Sequence, residues 1–196
     1  MSSPLAFASD MAGLRVSGRA QRQEGQMDFM QTMHAYFRGE KLEAAFFIVP
    51  VGLLFLGLAY GAWRSESGGF MWAVIVPSVI LGATLLAVGV TVAGRTAGQL
   101  AALEQAYQQD VALMVKTELP RMRQVMTLFS RTLPAFGVLA LLGLILRYAV
   151  RTEWAIGLGA LLVAAGGVGM LIDGFAERRA HPYVRALEAL DAQHGR

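Results

Sequence analysis

The chain has 196 residues, of which 55% are hydrophobic and 16% are charged, with a mean hydropathy of +0.48 and a formal net charge of +3 at pH 7. Since about a quarter of the residues of a soluble domain are usually charged, this composition indicates a membrane protein. The sequence contains no cysteine, which excludes disulfides, thiolate metal sites and cysteine nucleophiles.

The first part of the chain, residues 1–28, is polar and rich in small side chains and in arginine. It has no apolar core of the kind that a signal peptide needs, so we expect a mobile cytosolic tail. In the next segment, residues 29–41, a helix would collect Met and aromatic side chains on one side. That side consists of Met27, Met30, His34 and Phe37. Two interpretations stay open, an interfacial amphipathic helix and a partner-binding face.

Four long runs of the sequence contain no charged residue. They are 20, 28, 15 and 19 residues long and cover residues 44–63, 67–94, 132–146 and 154–172. A helix needs roughly 20 apolar residues to cross a bilayer, a length that the first, second and fourth runs supply. The third run is short, but Arg147 can reach the interface with its long side chain. A soluble bundle is a poor alternative, because these runs are apolar on all sides.

Prolines interrupt the first two predicted spans. Pro50 and Pro77 each remove a backbone donor and can kink a helix, and Ser78 and Thr84 place hydroxyl groups in the second span. Kinked helices occur in channels, so these four residues are candidates for a pore or a kink, although such helices are also common in inert bundles. The spans contain no acid or base near their middle, which argues against an ion-coupled transporter.

Residues 95–131 are predicted to form a cytosolic helical segment. Apolar side chains recur there at steps of three and four residues, namely Leu100, Leu103, Tyr107, Val111 and Met114. Pro120 is expected to break the helix, because it lacks an N–H and clashes with the preceding turn. We therefore predict a helical hairpin beneath the membrane, against which a C-terminal helix at residues 176–196 packs.

The fourth predicted span is rich in glycine and alanine. Its candidate helix-packing residues are Gly159, Ala160, Ala164, Ala165 and Gly169. Lipid provides no hydrophobic drive between helices, and small residues allow the close backbone approach that gives dispersion contact. This pattern predicts a packing helix. It leaves open whether the contact is within one chain or between chains.

A polar stripe follows the fourth span, where Asp173, Glu177 and His181 are four residues apart and would share one face of a continuous helix. Two carboxylates and an imidazole could bind a divalent cation or relay protons. Against such a site, a proline follows His181 and disfavours helix there, and charge is expected where a helix leaves the membrane. We interpret the stripe as a membrane exit, in which Asp173 pairs with Arg95 or Lys41. A metal site is the weaker alternative.

Positive residues collect on one side of the predicted spans. Of the 17 Lys and Arg residues, 14 lie in the two tails and the middle segment, and 3 lie in the two short connectors. Cytoplasmic segments carry an excess of positive residues, so both termini are predicted to be cytoplasmic. Aromatic residues cluster at the opposite boundary and agree with this orientation; they are Trp63, Trp72, Tyr148 and Trp154.

These patterns predict an all-α integral membrane protein of the cytoplasmic membrane. Its fold would be a four-helix bundle made of two transmembrane hairpins, residues 42–94 and 132–175, with amphipathic cytosolic helices. The sequence shows no catalytic cluster and no phosphate-binding loop, so we predict a protein that is not an enzyme and uses no cofactor.

The leading functional hypothesis is a protein that binds or regulates a partner, for example a protective immunity protein or a subunit of a membrane complex. Its partners would be the lipid bilayer and either a second copy of the chain or another membrane protein, not nucleic acid. An oligomeric pore is the first alternative. A metal sensor or enzyme that uses the Asp173, Glu177 and His181 stripe is the second.

Overall fold

Four long helices make up the computed structural model, which describes residues 25, 27–65 and 68–194. They are α1 (Met27–Arg64), α2 (Gly69–Gln109), α3 (Val111–Ala149) and α4 (Glu153–His194). These described ranges contain no strand, which confirms the all-α prediction. The tail predicted for residues 1–28 lies outside the described residues apart from 25, 27 and 28.

Each helix is about twice as long as a bilayer requires. The four helices have 38, 41, 39 and 42 residues, whereas roughly 20 suffice to cross the hydrocarbon layer. Each is also apolar enough to cross a membrane, which indicates a multi-pass membrane protein. The predicted spans and the predicted helical segments outside the membrane are therefore parts of the same continuous helices.

The polar ends of the four helices pack together on one side of the molecule. We call this part, residues 27–43, 95–131 and 173–194, the extramembrane bundle. Its buried core is rich in aromatic residues and methionine. The core consists of Phe29, Met33, Phe37, Tyr107, Met114, Val115, Leu119, Met122, Ala180, Tyr183, Leu187 and Leu190. It has the interior of a domain that folds in water, where burial of apolar surface is the main driving force.

The start of α1 is an integral part of this core. Residues 29–41, for which the sequence suggested an interfacial helix or a partner-binding face, continue directly into the first span. The Phe29 ring stacks on the ring of Tyr107 with centroids 5.1 Å apart, and the Tyr36 ring stacks on Tyr183 at 5.0 Å. The side of this segment that covers α2 and α4 is Phe29, Met33 and Phe37. The side expected from the sequence is only partly correct, because Phe37 is buried and Met30 is partly buried, whereas Met27 and His34 are exposed.

The remainder of the four helices contains the charge-free runs, and we call it the membrane half. Here the helices meet through glycine. α1 contacts α2 where a Cβ on Gly52 would lie 3.1 Å from the carbonyl oxygen of Gly82. α3 contacts α4 where a Cβ on Gly143 would lie 2.6 Å from the carbonyl oxygen of Gly159. A Cβ on Gly82 would in turn lie 2.8 Å from the carbonyl oxygen of Gly52. Real Cβ atoms are essentially never found within 3.0 Å of another atom, so these crossings depend on the missing side chains.

Pro50 follows a π-helical turn at Ala44–Ile48. Because proline has no N–H, the carbonyl of Phe46 cannot receive its α-helical hydrogen bond. The wider turn, in which the N–H of Val49 donates to the carbonyl of Ala44, accommodates this loss without a break. Pro77 lies within the α-helical run of α2.

The predicted break at Pro120 is wrong, because α3 runs through this proline. Both Pro120 and Lys116, whose carbonyl loses its donor, lie on the exposed face of α3, so the carbonyl can be satisfied by water. The chain turns instead at Asp110, whose backbone is extended. The side chain of Asp110 accepts a hydrogen bond of 3.0 Å from the N–H of Leu113 and so caps α3.

Candidate functional site

The polar stripe on α4 lies where this helix passes from the membrane half into the extramembrane bundle. α4 continues through Pro182, contrary to the expected disruption, so Asp173, Glu177 and His181 do share one face of a helix. Glu177 Oε1 lies 3.8 Å from His181 Nε2. Asp173 instead accepts a hydrogen bond from the hydroxyl of Thr132 on α3. The stripe is thus divided between a local pair and a contact between helices.

Metal binding has no preformed site in the described part of the chain. Within it, no group of three or more His, Asp or Glu side chains is placed so that it could hold a metal ion. In the stripe, the Asp173 carboxylate is directed to Thr132, while the Glu177 and His181 pair is only one turn long. Of the three residues, Asp173 joins two helices, and Glu177 and His181 pair within α4.

Two further ion pairs join helices at the same level. Arg179 of α4 donates a hydrogen bond to Glu43 of α1, and Arg95 of α2 lies 3.6 Å from Glu40 of α1. The expected pairing of Asp173 with Arg95 or Lys41 is therefore not formed, because Arg95 faces α1 and Asp173 faces α3. Together these contacts make a polar belt around the boundary between the two halves.

A buried charge in the extramembrane bundle was missed by the sequence analysis. Glu118 of α3 is only 4% exposed. Arg121 donates to it with its Nε at 2.7 Å, and the hydroxyl of Tyr183 on α4 donates to it at 3.2 Å. Burial, followed by the nearby Glu118 charge, raises the pKa of the Tyr183 phenol, so this hydroxyl stays protonated and remains a donor. The spacing of Glu118 and Arg121 by three residues was the available signal.

The pore candidates do not share a face in the single chain. Ser78 is fully buried between helices, and its hydroxyl finds no hydrogen-bond partner among the described residues. Thr84 lies on the exposed side of α2, where the surroundings are lipid. Pro50 and Pro77 lie in α1 and α2 as described above, and both helices remain continuous. Any lumen that Thr84 lines would therefore lie between copies of the chain.

The small residues of α4 divide between two faces. Gly159 packs against Gly143 of α3, and a Cβ on Gly169 would meet the ring of Phe136 at 2.5 Å. Ala165 is also buried, whereas Ala160 and Ala164 are exposed. One side of α4 thus makes the contact with α3, and the other side presents small residues to lipid.

A second exposed pair of small residues lies on α1. A Cβ on either Gly57 or Gly61 would meet no other atom within 4 Å. These two glycines are four residues apart, the spacing with which membrane helices associate closely. Their four-residue spacing was the available signal in the sequence. Comparison with family models, with curated proteins and with solved structures found no match to this chain.

Proposed function

We propose that the chain is a non-enzymatic, multi-pass protein of the cytoplasmic membrane that binds or regulates a partner membrane protein. The partner is a second copy of the chain or another protein, as in a protective protein or a subunit of a complex. In this proposal residues 42–94 and 132–175 are two transmembrane hairpins, and the extramembrane bundle and both termini lie in the cytoplasm. The 14-to-3 distribution of positive residues supports that orientation.

The space between the helices is filled by side chains or closed by backbone contacts, which supports a function at the outer surface of the protein. The space between the helices of the extramembrane bundle is occupied by aromatic and methionine side chains, several of which are fully buried. In the membrane half, Gly52 with Gly82 and Gly143 with Gly159 bring backbones into contact. This packing fills the space between the described helices that a substrate would need, apart from the open cleft between α1 and α4, whereas a partner needs only an outer face.

The observation that carries the proposal is that some glycines in the membrane half contact a neighbouring helix and others contact none. Gly52, Gly82 and Gly143 touch a neighbouring helix of the same chain, whereas Gly57 and Gly61 face open space. A bare glycine costs helix stability and gains nothing from lipid, so a face of two glycines one turn apart is best explained by a helix that covers it. The exposed Ala160 and Ala164 of α4 offer a second face of the same kind.

Photocrosslinking in native membranes tests this contact. A photoreactive amino acid replaces Leu54, which is 71% exposed and lies one turn from Gly57 towards the extramembrane bundle. We expect a defined adduct, either with a second copy of the 21.1 kDa chain or with one other membrane protein. Gly57→Leu combined with Gly61→Leu should abolish the adduct, because the two side chains hold the partner helix away.

A matched control separates this effect from general damage. A Cβ on Gly137 of α3 would also meet no other atom within 4 Å, but the residue four positions later is Leu141. Gly137→Leu should therefore leave the adduct unchanged. Monomer alone in every sample, or an adduct that survives the double substitution, would contradict the proposal.

Two other measurements bear on the alternatives. Ion flux into liposomes that changes with Thr84→Val would favour an oligomeric pore, with Thr84 facing a lumen between copies. A stoichiometric metal ion that is lost on Asp173→Asn would favour the metal sensor or enzyme. For a partner-binding protein we expect neither flux nor bound metal.

A further inference from the structure

A cleft of about 740 Å³ opens between α1 and α4 at the boundary of the two halves. Its apolar wall includes Phe46 and Phe175, which are 77% and 48% exposed. Its polar wall includes Glu43, Arg178 and Arg179. Ligand sites have volumes of roughly 300 to 1,000 Å³, so the cleft is large enough for a small molecule or a lipid headgroup.

The apolar wall and the polar wall lie at different depths in the membrane. Phe46 lies in the first turn of an uncharged run, and Phe175 lies just beyond the end of another. Arg178 lies about one turn further from the membrane than Phe175. Phe46 is therefore at the depth of acyl chains, Phe175 is at the boundary, and the arginines are at the depth of phosphate groups.

Arg179 reaches this position because residue 39 has no side chain. A Cβ on Gly39 would collide with the Cδ of Arg179, so the arginine stem passes directly over the backbone of α1. The guanidinium then donates to one carboxylate oxygen of Glu43, whose side chain is only 9% exposed. The cleft thus contains an ion pair that the fold holds in place.

The ion pair leaves two buried atoms unsatisfied. The Nε of Arg179 donates to no described atom, and the Oε1 of Glu43 accepts from none. Leaving buried polar atoms without partners is costly. Arg178, which is exposed, forms no ion pair within the described ranges. A ligand that suits the cleft therefore supplies acceptors for the arginines and a donor for Glu43.

We propose that this cleft binds a mono-anionic glycerophospholipid with a hydroxylated headgroup, of the phosphatidylglycerol type, from the adjacent leaflet. The phosphate accepts from Arg178 and Arg179, a headgroup hydroxyl donates to Glu43, and the acyl chains lie against the aromatic wall. The charged groups that line the cleft, two arginines and one glutamate, sum to +1, which matches one phosphodiester.

Lipid retention measures this binding directly. The full chain is reconstituted in phosphatidylcholine discs that contain a minor fraction of phosphatidylglycerol, and the lipids retained on the protein are quantified by native mass spectrometry. We expect phosphatidylglycerol to be enriched over phosphatidylcholine. Soluble glycerol 3-phosphate should not compete, because it lacks the acyl chains that the aromatic wall contacts. Competition by this anion at similar concentrations would overturn the assignment to lipid.

Substitutions in the cleft should lower the enrichment in a graded way. Arg179→Gln removes a charge-assisted hydrogen bond and should reduce it about tenfold. Arg178→Gln affects an exposed group and should reduce it about threefold. Arg185→Gln removes the same charge from an exposed position two turns further along α4 and should change nothing. Equal losses for Arg178→Gln and Arg185→Gln would show only general attraction to anionic lipid and would overturn the proposal.

Glu43→Gln distinguishes lipid binding from damage to the fold. It weakens the same ion pair as Arg179→Gln, but it raises the charge of the cleft and replaces the carboxylate that accepts from the headgroup hydroxyl with a neutral amide, whose oxygen is a weaker acceptor. We expect enrichment of anionic lipid to be kept or increased, with less preference for phosphatidylglycerol over phosphatidate. Loss of all anionic lipid in both Glu43→Gln and Arg179→Gln would mean that the ion pair merely holds α1 to α4.

Discussion

The extramembrane bundle and the membrane half are built from the same four helices, yet they are held together differently. In the extramembrane bundle, large side chains such as Phe37 and Tyr183 are almost completely buried. In the membrane half the closest contacts are between glycines, as at Gly143 and Gly159. Water drives large apolar side chains into the first region. Lipid does not, so the second region depends on close approach of the backbones.

The exposed surfaces differ in the same sense. Large apolar side chains point outwards along the membrane half, among them Phe46, Leu54, Trp63, Trp72 and Tyr148. The cluster of buried side chains within it is small and consists of Phe55, Val74 and Leu161. A substitution that breaks an existing ion pair should therefore matter most in the extramembrane bundle, whereas one that adds volume should matter most in the membrane half.

Arg121→Leu is expected to have the largest effect. Glu118 would stay buried with only the Tyr183 hydroxyl as a partner, and breaking a buried pair in this way costs about 3 kcal/mol. Amide hydrogen exchange of the protein in lipid discs measures this loss. Exchange should accelerate throughout the extramembrane bundle, while the fluorescence of Trp63, Trp72 and Trp154 in the membrane half should stay unchanged.

The control removes the whole polar cluster. Combining Glu118→Leu, Arg121→Leu and Tyr183→Phe leaves no buried charge and no orphaned hydroxyl, so most of the lost stability should return. If the triple variant exchanged as fast as Arg121→Leu, the loss would come from packing of the arginine stem and not from an unpaired carboxylate.

Gly143→Leu should have a smaller effect that is confined to the membrane half. The new side chain would meet the backbone of α4 at Gly159, and overpacking of this kind costs about 2 kcal/mol. Thermal unfolding reports the change when it is followed by the fluorescence of Trp154, which precedes Gly159 on α4. Gly137→Leu on α3 enters open space and should be near neutral. Equal losses in both variants would mean that leucine is unfavourable anywhere on this helix.

The membrane character of the chain could be predicted because it depends on composition. Charge-free runs and their lengths mark the apolar part of every helix, and the described part of each run lies in one continuous helix apart from Gly68, which precedes α2. The side on which the positive residues collect is also a matter of counting. Neither prediction needs knowledge of which helices touch.

The contacts between helices could not be predicted, because they depend on which side of each helix faces its neighbours. Pro120 looked like a break, yet its exposed side lets water satisfy the carbonyl that it leaves free. The real turn at Asp110 carried a cap signal, an acid just before an apolar run. Gly39 and Gly57 look alike in the sequence, but Gly39 lies beneath Arg179 and Gly57 faces open space.

Raising the pH should destabilise the extramembrane bundle through Tyr36, and this effect should be smaller than those of Arg121→Leu and Gly143→Leu. Burial, followed by the nearby Glu40 charge, raises the pKa of the Tyr36 phenol from 10.0 to about 12. Between these values the unfolded chain releases the proton and the folded chain keeps it. The stability that the fold gains from keeping Tyr36 protonated is complete below pH 10 and is lost as the pH rises to 12. At pH 11 the loss is about 1 kcal/mol.

Tyr36→Phe removes this titrating group, so the extramembrane bundle of the variant should persist to higher pH. Circular dichroism during an alkaline titration, with phenolate absorbance recorded in parallel, measures both events. Tyr148→Phe is the control, because Tyr148 is 74% exposed in the membrane half. An alkaline transition at the same pH in wild type and Tyr36→Phe would show that water reaches this ring. The contrast between a dry aromatic core and a lipid-facing membrane half would then fail at the edge of the core where α1 meets α4.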